Sequence, residues 1–346
     1  MQIVDLFAGP GGLDVAATWL GLPAVGIEWD SNACTTRRAA RLHTRQGDVR
    51  DFAPGDFRTA QVLAAGPPCQ TFTVAGSGKG RHALDDVLGF VKRMAAGDDV
   101  TGDLKEMKDE RTALVLEPLR WALAAIDDGR DYDAIVLEQV PAVLPVWEAM
   151  GEALAGKGYR VAHGVLRTEQ YGIPQTRRRA VLIARRHGEA TLPKPTHRPY
   201  RKGVARAEGD VNLLPWVTMG DVLDLPEPFV VVSNYGTGGD PKARGRRVST
   251  EPSFTVTGKV SRNRVLLPGR GDRRFSYAEA GQLQTFPSDY PWSGSDIAQQ
   301  IGNAIPPLLA AHVLVAALDL DPKSLEKYTA SRLPKWFATV NPNFLD

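Results

Sequence analysis

Short apolar runs alternate with amphipathic segments along the first half of the chain. Four of these runs are predicted to be buried parallel strands, namely "IVDLF" (3–7), "AVGIE" (24–28), "AQVLAAG" (60–66) and "DAIVLEQV" (133–140). Two further strands are predicted at 159–168 and 178–186, and helical segments such as "GLDVAATWLG" lie between the earlier strands. This alternation predicts an α/β fold with a doubly wound, mostly parallel sheet.

The pattern changes after Arg186, where prolines become frequent and helical patterns become rare. A glycine-rich stretch follows at 234–240, and helical apolar periodicity returns at 276–286 and 299–318. We therefore predict three parts: a discontinuous first domain (1–186 plus 275–325), a second, smaller domain rich in strands and loops (187–274), and a C-terminal tail that packs on the fold (326–346).

The composition disfavours several classes of protein. Hydrophobic residues make up 43% and charged residues 24%, as in an ordinary globular chain. No apolar run reaches the roughly 18 residues of a membrane span, and because the strand-like pattern "MQIVDLF" starts at once, we expect no signal peptide. The 2 cysteines cannot form a disulfide framework, and the 6 histidines show no metal-binding spacing. We expect a cytoplasmic protein with no membrane association and no metal.

The charge is unevenly distributed although the net charge is only +2. Between Arg185 and Arg247 there are 11 Lys and Arg against 7 Asp and Glu, an excess of 4, and the run "RRR" at 177–179 lies just before this stretch. A solvated basic face is one interpretation of this excess. A surface that binds the phosphates of a nucleic acid is the other.

A glycine-rich turn, "FAGPGG" (7–12), lies between the first predicted strand and the first predicted helix. Glycine permits a close backbone approach, and a helix N-terminus presents free N–H groups. Glu28 ends the second strand, where a carboxylate can hold a ribose diol, and Asp48 could accept from an adenine amino group. The glycine spacing disfavours a dinucleotide cofactor. A turn without a ligand and a nucleoside cofactor with a carboxylate, such as S-adenosylmethionine, are the interpretations that remain.

Cys69 follows a predicted strand end and two prolines, Pro67 and Pro68, which restrict φ and would hold its thiol in place. The other cysteine, Cys34, lies in a helical segment and is interpreted as a small buried hydrophobe. Glu138 ends another predicted strand, at the edge where open α/β sheets bind ligands. Gln175, Arg177 and Arg179 alternate at the start of the next strand, so they are expected to point the same way. A nucleophile, a carboxyl group and two guanidinium groups are thus predicted to converge.

At these residues the chain resembles the cytosine-C5 DNA methyltransferase family. The matching segments follow the family's order over nearly the whole length: "DLFAGPGG" (5–12), "GIEWD" (26–30), "GDV" (47–49), "GPPCQTF" (66–72), "LEQV" (137–140), "QTRRR" (175–179), "RRVSTEPSFTVTG" (246–258) and "QQIGNAIPP" (299–307). The chain departs from the family at Gln139, where an asparagine is usual, and this extra methylene could alter how Glu138 or the Cys69 loop is held.

The resemblance implies roles for the predicted residues. Cys69 would add to C6 of cytosine, Glu138 would protonate or hydrogen bond N3, Arg179 would hold O2, and Arg177 would lie near the thiolate and favour its ionised form. The base must leave the duplex for this reaction. The loop at 73–89 would close on the DNA from one side, and the second domain would recognise the target sequence from the other.

The first domain would then carry both catalysis and the cofactor, S-adenosylmethionine. Phe7 and Trp29 would flank the adenine, and Asn303 would complete the pocket. The cofactor-binding residues are predicted to be Phe7, Gly9, Pro10, Gly12, Glu28, Trp29, Asp48, Val49, Pro68 and Asn303. We expect a monomer that acts on double-stranded DNA, and a separate restriction endonuclease of matching specificity is a candidate partner.

Three other functions stay open on the sequence alone. An RNA cytosine methyltransferase on the same scaffold is disfavoured, because its relatives carry a Cys-Phe-Thr element that this chain lacks. A DNA-binding protein that has lost catalysis is disfavoured by the retained Cys69, Glu138 and Arg179. A nicotinamide-dependent oxidoreductase is disfavoured by the glycine spacing.

Overall fold

The computed structural model describes residues 1–68, 78–105, 110–226, 228–233 and 244–339, and these residues form a large and a small β-sheet. Seven strands form the large sheet: β1 (Gln2–Leu6), β2 (Ala24–Glu28), β3 (Thr44–Gln46), β4 (Ala60–Ala65), β5 (Ala134–Gln139), β6 (Arg160–Arg167) and β7 (Arg178–Arg185). Their order is β3-β2-β1-β4-β5-β7-β6. The first five are parallel, and β7 runs antiparallel between β5 and β6.

Helices cover both faces of this sheet. The described helices are α1 (Gly12–Trp19), α2 (Ser31–Ala39), α3 (Gly78–Ala96), α4 (Thr101–Lys105), α5 (Glu110–Ala113), α6 (Glu117–Asp127), α7 (Leu144–Gly156), α8 (Met219–Val222), α9 (Tyr277–Leu283), α10 (Ile297–Asn303), α11 (Pro307–Leu318) and α12 (Trp336–Thr339). Helices α3, α6 and α7 contribute to the core on one face, and α1 and α11 contribute to the core on the other. The predicted doubly wound, mostly parallel sheet is therefore confirmed.

Most of the segment 73–89, which was predicted to be a closing loop, is helical. Residues 73–77 lie outside the described residues, and residues 78–89 form the first part of α3.

The small sheet consists of four antiparallel strands, β8 (Val230–Val232), β9 (Arg246–Val248), β10 (Arg264–Leu267) and β11 (Gly271–Arg273), in the order β11-β10-β8-β9. Its core includes Phe229 and Val265 together with Leu283 of α9 and Ile301 of α10. Helix α11 packs instead against the large sheet. The division at 274/275 stays a prediction, since the described core of the small sheet also uses residues beyond it.

The described part of the C-terminal tail packs on the large-sheet core. Trp336 is fully buried, and its indole N–H donates to the Ala40 carbonyl at 3.2 Å. Tyr328 stacks on Trp19 with 5.0 Å between the ring centroids. Tyr328 and Trp336 therefore attach this described part of the tail to α1 and to the residue that follows α2.

One segment, Ile297–Leu318, is long and apolar enough for a membrane-crossing helix by length and composition. It comprises α10 and α11, and most of it is buried inside the fold, as in the core helices of globular proteins.

Candidate functional site

A cavity of about 810 Å³ opens at the carboxyl edge of the large sheet, where β1, β2, β4 and β5 end. Open α/β sheets bind their ligands at this edge. The cavity brings together most of the residues predicted from the sequence, which are Phe7, Gly9, Gly12, Glu28, Trp29, Asp48, Val49, Pro68, Glu138, Arg179 and Asn303.

The glycine turn forms the cavity wall between β1 and α1. Gly9 has a φ of +55°, and a Cβ placed on it would meet no atom within 4 Å, so the backbone presents an open surface. A Cβ on Gly12 would lie 2.2 Å from the Ile305 carbonyl oxygen, which explains why glycine begins α1. Phe7 has a φ of +62°, which is strained for a side chain of this size. Such strain is typical of a functional turn.

Glu28 is held by backbone N–H groups on both of its oxygens. Gly9 N–H donates to Oε2 at 2.7 Å, and Asp30 N–H donates to Oε1 at 2.7 Å. Burial raises the pKa of Glu28, and these two hydrogen bonds lower it in part. The side chain is therefore fixed in one orientation at the end of β2.

Several acidic side chains line the end of the cavity near the glycine turn. Asp5 is buried at 4% exposure, and burial raises the pKa of its carboxyl well above the ordinary value. The Asp48 carboxylate accepts from the Arg50 guanidinium, which lowers the pKa of Asp48. Both Asp48 oxygens contact Arg50, so an adenine amino group would share them with that side chain. Glu28 and Asp48 thus present carboxyl oxygens to the cavity as hydrogen-bond acceptors.

Aromatic and amide side chains lie at the rim of the cavity. Trp29 is 64% exposed, which is unusual for so large an apolar side chain. Asn303 is exposed at the end of α10, and its Oδ1 accepts from Gln299 at 2.7 Å. Trp29 is therefore available to stack on a planar group.

Glu138 and Arg179 form an ion pair at the other end of the cavity. Arg179 Nε lies 2.7 Å from Glu138 Oε1, and the two side chains are 12% and 11% exposed. Although the two atoms are close, Oε1 has no aligned hydrogen-bond donor among the described residues. Glu138 therefore lines the cavity with its carboxyl group fixed beside the Arg179 guanidinium.

Gln139 connects the end of β5 to the segment that leads to Cys69. Its Nε2 donates to the Pro67 carbonyl, and its Oε1 accepts from Val140 N–H at 2.6 Å. The glutamine side chain thus links the end of β5 to the segment that contains Pro67 and Pro68. Cys69 itself lies outside the described residues, so its distance from Glu138 stays a prediction.

Arg177 has contacts of a different kind from Arg179. Its Nη1 donates to the Val256 carbonyl at 2.7 Å, and its Nη2 donates to the carbonyls of Gly302 at 3.0 Å and Ala304 at 3.3 Å. It is 1% exposed, and burial lowers its pKa well below the ordinary value. Among the described residues that line the cavity, Arg179 is present and Arg177 is not. These contacts join β7 to segments near the small sheet, and a role beside the thiolate stays a prediction.

Gln175 is likewise buried and does not line the described cavity. Its Nε2 donates to the Leu283 carbonyl at 2.9 Å, and its Oε1 accepts from Val256 N–H at 3.0 Å. Strand β7 begins only at Arg178, so the alternation expected for 175, 177 and 179 does not extend through this segment.

Two predicted residues occupy other positions. Pro10 is buried behind the glycine turn, where its carbonyl accepts from the Tyr290 hydroxyl at 2.5 Å, and it is absent from the described cavity lining. Cys34 is buried, its thiol donates to the Glu28 carbonyl at 3.4 Å, and burial raises its pKa to about 11. Cys34 therefore has the structural role expected of it.

Sequence reasoning missed several residues of the cavity. Asp5 had a local signal, because it is an acid within the apolar run "IVDLF". Leu114 had none, since it reaches the cavity from a distant segment. In the residues that the structure describes, no group of three or more His, Cys, Asp or Glu side chains is placed to hold a metal ion.

The chain matches a family model described as C-5 cytosine-specific DNA methylase over residues 1–90, 100–214 and 224–318. Type II methyltransferase M1.HphI of Haemophilus parahaemolyticus is 27% identical over 364 residues, which cover 93% of this chain and 87% of the relative. Type II methyltransferase M.Sau96I of Staphylococcus aureus is 28% identical over 345 residues, which cover 90% and 74% of the two chains.

Solved structures show the same fold. Dnmt2 methyltransferase of S. pombe superposes with a TM-score of 0.62 at 18% identity, and Entamoeba histolytica methyltransferase EhMeth superposes with a TM-score of 0.60 at 13% identity. Each covers 92% of this chain and 98% of the solved one. Together with the family match over most of the chain, the site shows that the protein belongs to the C-5 cytosine-specific DNA methylase family and is a DNA cytosine-5 methyltransferase.

Proposed function

We propose that the protein transfers a methyl group from S-adenosylmethionine to C5 of a cytosine that has left a specific DNA duplex sequence, through a transient bond from Cys69 to C6. The observation that carries this proposal is the Glu138–Arg179 pair in the same cavity as the glycine turn and Glu28. One end of the cavity suits a nucleoside, and the other end offers the hydrogen-bonding groups that a pyrimidine edge requires.

The cavity fits S-adenosylmethionine in its chemistry. S-adenosylmethionine supplies, when bound, an electrophilic methyl group on a positively charged sulfur. The lining suits this molecule through hydrogen-bond acceptors, since Glu28 and Asp48 present carboxyl oxygens that can accept from hydroxyl and amino groups. Glu28 would accept from the ribose hydroxyls, Phe7 and Trp29 would flank the adenine, and Gly9 leaves room for the ligand beside the backbone.

The base end of the cavity would activate cytosine by nucleophilic addition. The Cys69 thiolate would add to C6, which breaks the ring conjugation and moves electron density to C5. Glu138 would hold a proton at N3, and Arg179 would hold both the Glu138 carboxyl group and the O2 of the base. After C5 is methylated, loss of the C5 proton expels the sulfur of Cys69 and restores the ring.

This chemistry requires a base outside the stack, so the cost of extrusion must be offset by contacts between the protein and the DNA. The small-sheet region, within 187–274, would recognise the target sequence. We propose a cytoplasmic monomer, in keeping with a DNA substrate, and a restriction endonuclease of matching specificity as a candidate partner, because the relatives are type II methyltransferases.

The test is labelled methyl transfer to unmethylated duplex DNA, followed by nucleoside analysis. Wild-type protein is expected to place the label in 5-methylcytosine. Cys69→Ser should abolish transfer and keep cofactor affinity, because a serine hydroxyl is a far weaker nucleophile than a thiolate. Cys34→Ala is the matched control and should retain transfer, since its thiol is buried and has a raised pKa. Retained turnover in Cys69→Ser would exclude the thiol route.

A further inference from the structure

Two arginines lie directly opposite each other where β6 ends and β7 begins. Arg167 pairs with Arg178 in the antiparallel register, so both side chains are on the same face of the sheet, and both are exposed. Like charges in directly opposed positions repel each other and destabilise a sheet. Neither side chain has an ion pair with an acid in the described part of the chain. The fold therefore keeps an arrangement that costs stability.

The same two strands contain a second opposed arginine pair, in which nearby oxygen atoms offset the repulsion between the two charges. Arg160 of β6 pairs with Arg185 of β7, at the end of the sheet where β5 begins. There Arg185 donates to the Glu189 carbonyl at 2.8 Å and lies 3.5 Å from the Asp319 carboxylate. Arg167 and Arg178 lie at the opposite end of these strands, next to Arg179, whose side chain points to the other face of the sheet. The pair that lacks an ion-paired acid, Arg167 and Arg178, is thus the one at the edge of the sheet where the cavity opens.

A third guanidinium lies near this pair and is held by aromatic rings. The Arg247 guanidinium carbon is 4.4 Å from the Tyr200 ring centroid and 5.0 Å from that of Phe254. Its Nη2 lies 3.4 Å from Thr176 Oγ1, in the segment that leads into β7. Ring stacking orders an arginine before it meets a ligand, which lowers the entropy cost of binding.

A single buried carboxyl group lies within electrostatic range of all three arginines. Glu169 is 5% exposed, and its Oε2 has no hydrogen-bond partner in the described residues. Burial raises its pKa, while Arg167, Arg178 and Arg247 lower it. Glu251, which accepts from the Tyr200 hydroxyl, is a second acid beside Arg247. Two carboxyl groups against three guanidinium charges leave this surface with a positive excess, which is suited to anions.

We propose that Arg167 and Arg178 form a binding site for backbone phosphates of the DNA substrate, with Arg247 as a third guanidinium from the small-sheet region. Guanidinium groups bind phosphate oxygens through paired N–H donors, and two opposed arginines can hold one phosphate or two successive ones. This proposal rests on the proposed function, because the phosphates belong to the DNA substrate. It adds a contact on the large sheet, outside the segment predicted to recognise sequence.

The test measures how DNA affinity depends on salt. A fluorescein-labelled duplex of mixed sequence is titrated with wild-type protein, with the double variant Arg167→Gln, Arg178→Gln, and with the control Arg160→Gln, from about 50 to 200 mM salt. The double variant should lower the slope of log affinity against log salt by about 1 if the pair holds one phosphate and by about 2 if it holds two, since each phosphate contact contributes about 1. The slope of Arg160→Gln should match wild type.

Two controls decide how a negative result is interpreted. The melting temperature of the double variant should be no lower than that of wild type, because the substitution relieves repulsion. A lower melting temperature would assign the arginines a structural role and overturn the site. An unchanged salt slope, or an equal decrease in Arg160→Gln, would overturn the site alone. Absence of duplex binding by wild type would overturn both the site and the proposed function.

Discussion

The two ends of the cavity hold their carboxyl groups in different ways. We call the end near the glycine turn, where the cofactor is proposed to bind, the cofactor end, and the end near Glu138, where the base is proposed to bind, the base end. At the cofactor end, Glu28 is fixed by backbone N–H groups of Gly9 and Asp30, which belong to the adjacent turns. At the base end, Glu138 is held by the side chain of Arg179, which comes from an antiparallel strand 41 positions further along the chain. The cofactor end is therefore built by local backbone geometry, and the base end is built by side chains that tertiary structure brings together.

This difference predicts that substitutions at the base end affect the chemical step and those at the cofactor end affect binding. The largest effect is expected for Glu138→Gln. Loss of the proton donor should lower kcat by about 10² to 10⁴. The dissociation constant for S-adenosylmethionine should stay within about twofold, because the cofactor would contact the other end.

Single-turnover kinetics and cofactor titration measure the two effects of Glu138→Gln separately. Glu148→Gln, an exposed position on α7, is the matched control and should leave both constants unchanged. Equal losses of kcat and of cofactor affinity would remove the distinction between the two ends.

The next effect in size is expected for Glu28→Gln. The amide can accept only one of the two backbone hydrogen bonds and carries no charge for the ribose hydroxyls, so cofactor binding should weaken by about 1.5 to 3 kcal/mol, or roughly 10- to 100-fold. At saturating cofactor, kcat should stay near the wild-type value. Isothermal titration together with saturation kinetics measures both. An unchanged dissociation constant would remove Glu28 from the cofactor site.

The same residue predicts the pH dependence of cofactor binding. Because burial raises the pKa of Glu28 in the free protein, the carboxylate takes up a proton as the pH falls through this raised value. Cofactor affinity should therefore weaken on acidification, by at most about tenfold per pH unit for one group. Glu28→Gln should flatten this dependence, and a wild-type profile without any slope would contradict the assignment.

The smallest effect is expected for Gln139→Ala. This change removes the hydrogen bonds to the Pro67 carbonyl and the Val140 N–H, which should loosen the approach to Cys69. At about 1 kcal/mol for each such bond, kcat should fall by roughly 5- to 30-fold. Gln139→Asn, which keeps the amide, should recover part of the loss. If kcat of Gln139→Ala equals that of the wild type, the hydrogen bond to the Pro67 carbonyl has no part in positioning Cys69.

The sequence predicts one end of the cavity better than the other for the same physical reason. The turn at Gly9 and Gly12 and the strand end at Glu28 are local features, and so is the alternation that predicted β1, β2, β4 and β5. Short-range patterns carry this information. The polar residue Asp5 within an apolar run was a further local signal that sequence reasoning did not use.

Contacts between distant segments were harder to predict. Arg177 and Arg179 are two residues apart, but only Arg179 lines the described cavity, because β7 begins at Arg178 and Arg177 turns toward the Val256 and Gly302 carbonyls. The position of α9 against the small sheet likewise depends on packing that no local period encodes. Tertiary structure, and not residue type, decides which arginine meets Glu138.

The proposed mechanism of methyl transfer depends most on a covalent bond between Cys69 and the base. The direct measurement uses a duplex with 5-fluorocytosine at the methylated position, incubated with the protein and S-adenosylmethionine, and peptide mapping of the product by mass spectrometry. Fluorine cannot leave as a proton does, so the account predicts a stable adduct whose modified peptide carries the base on Cys69. Full methylation of the unmodified duplex without any adduct at Cys69, or an adduct at another residue, would contradict it.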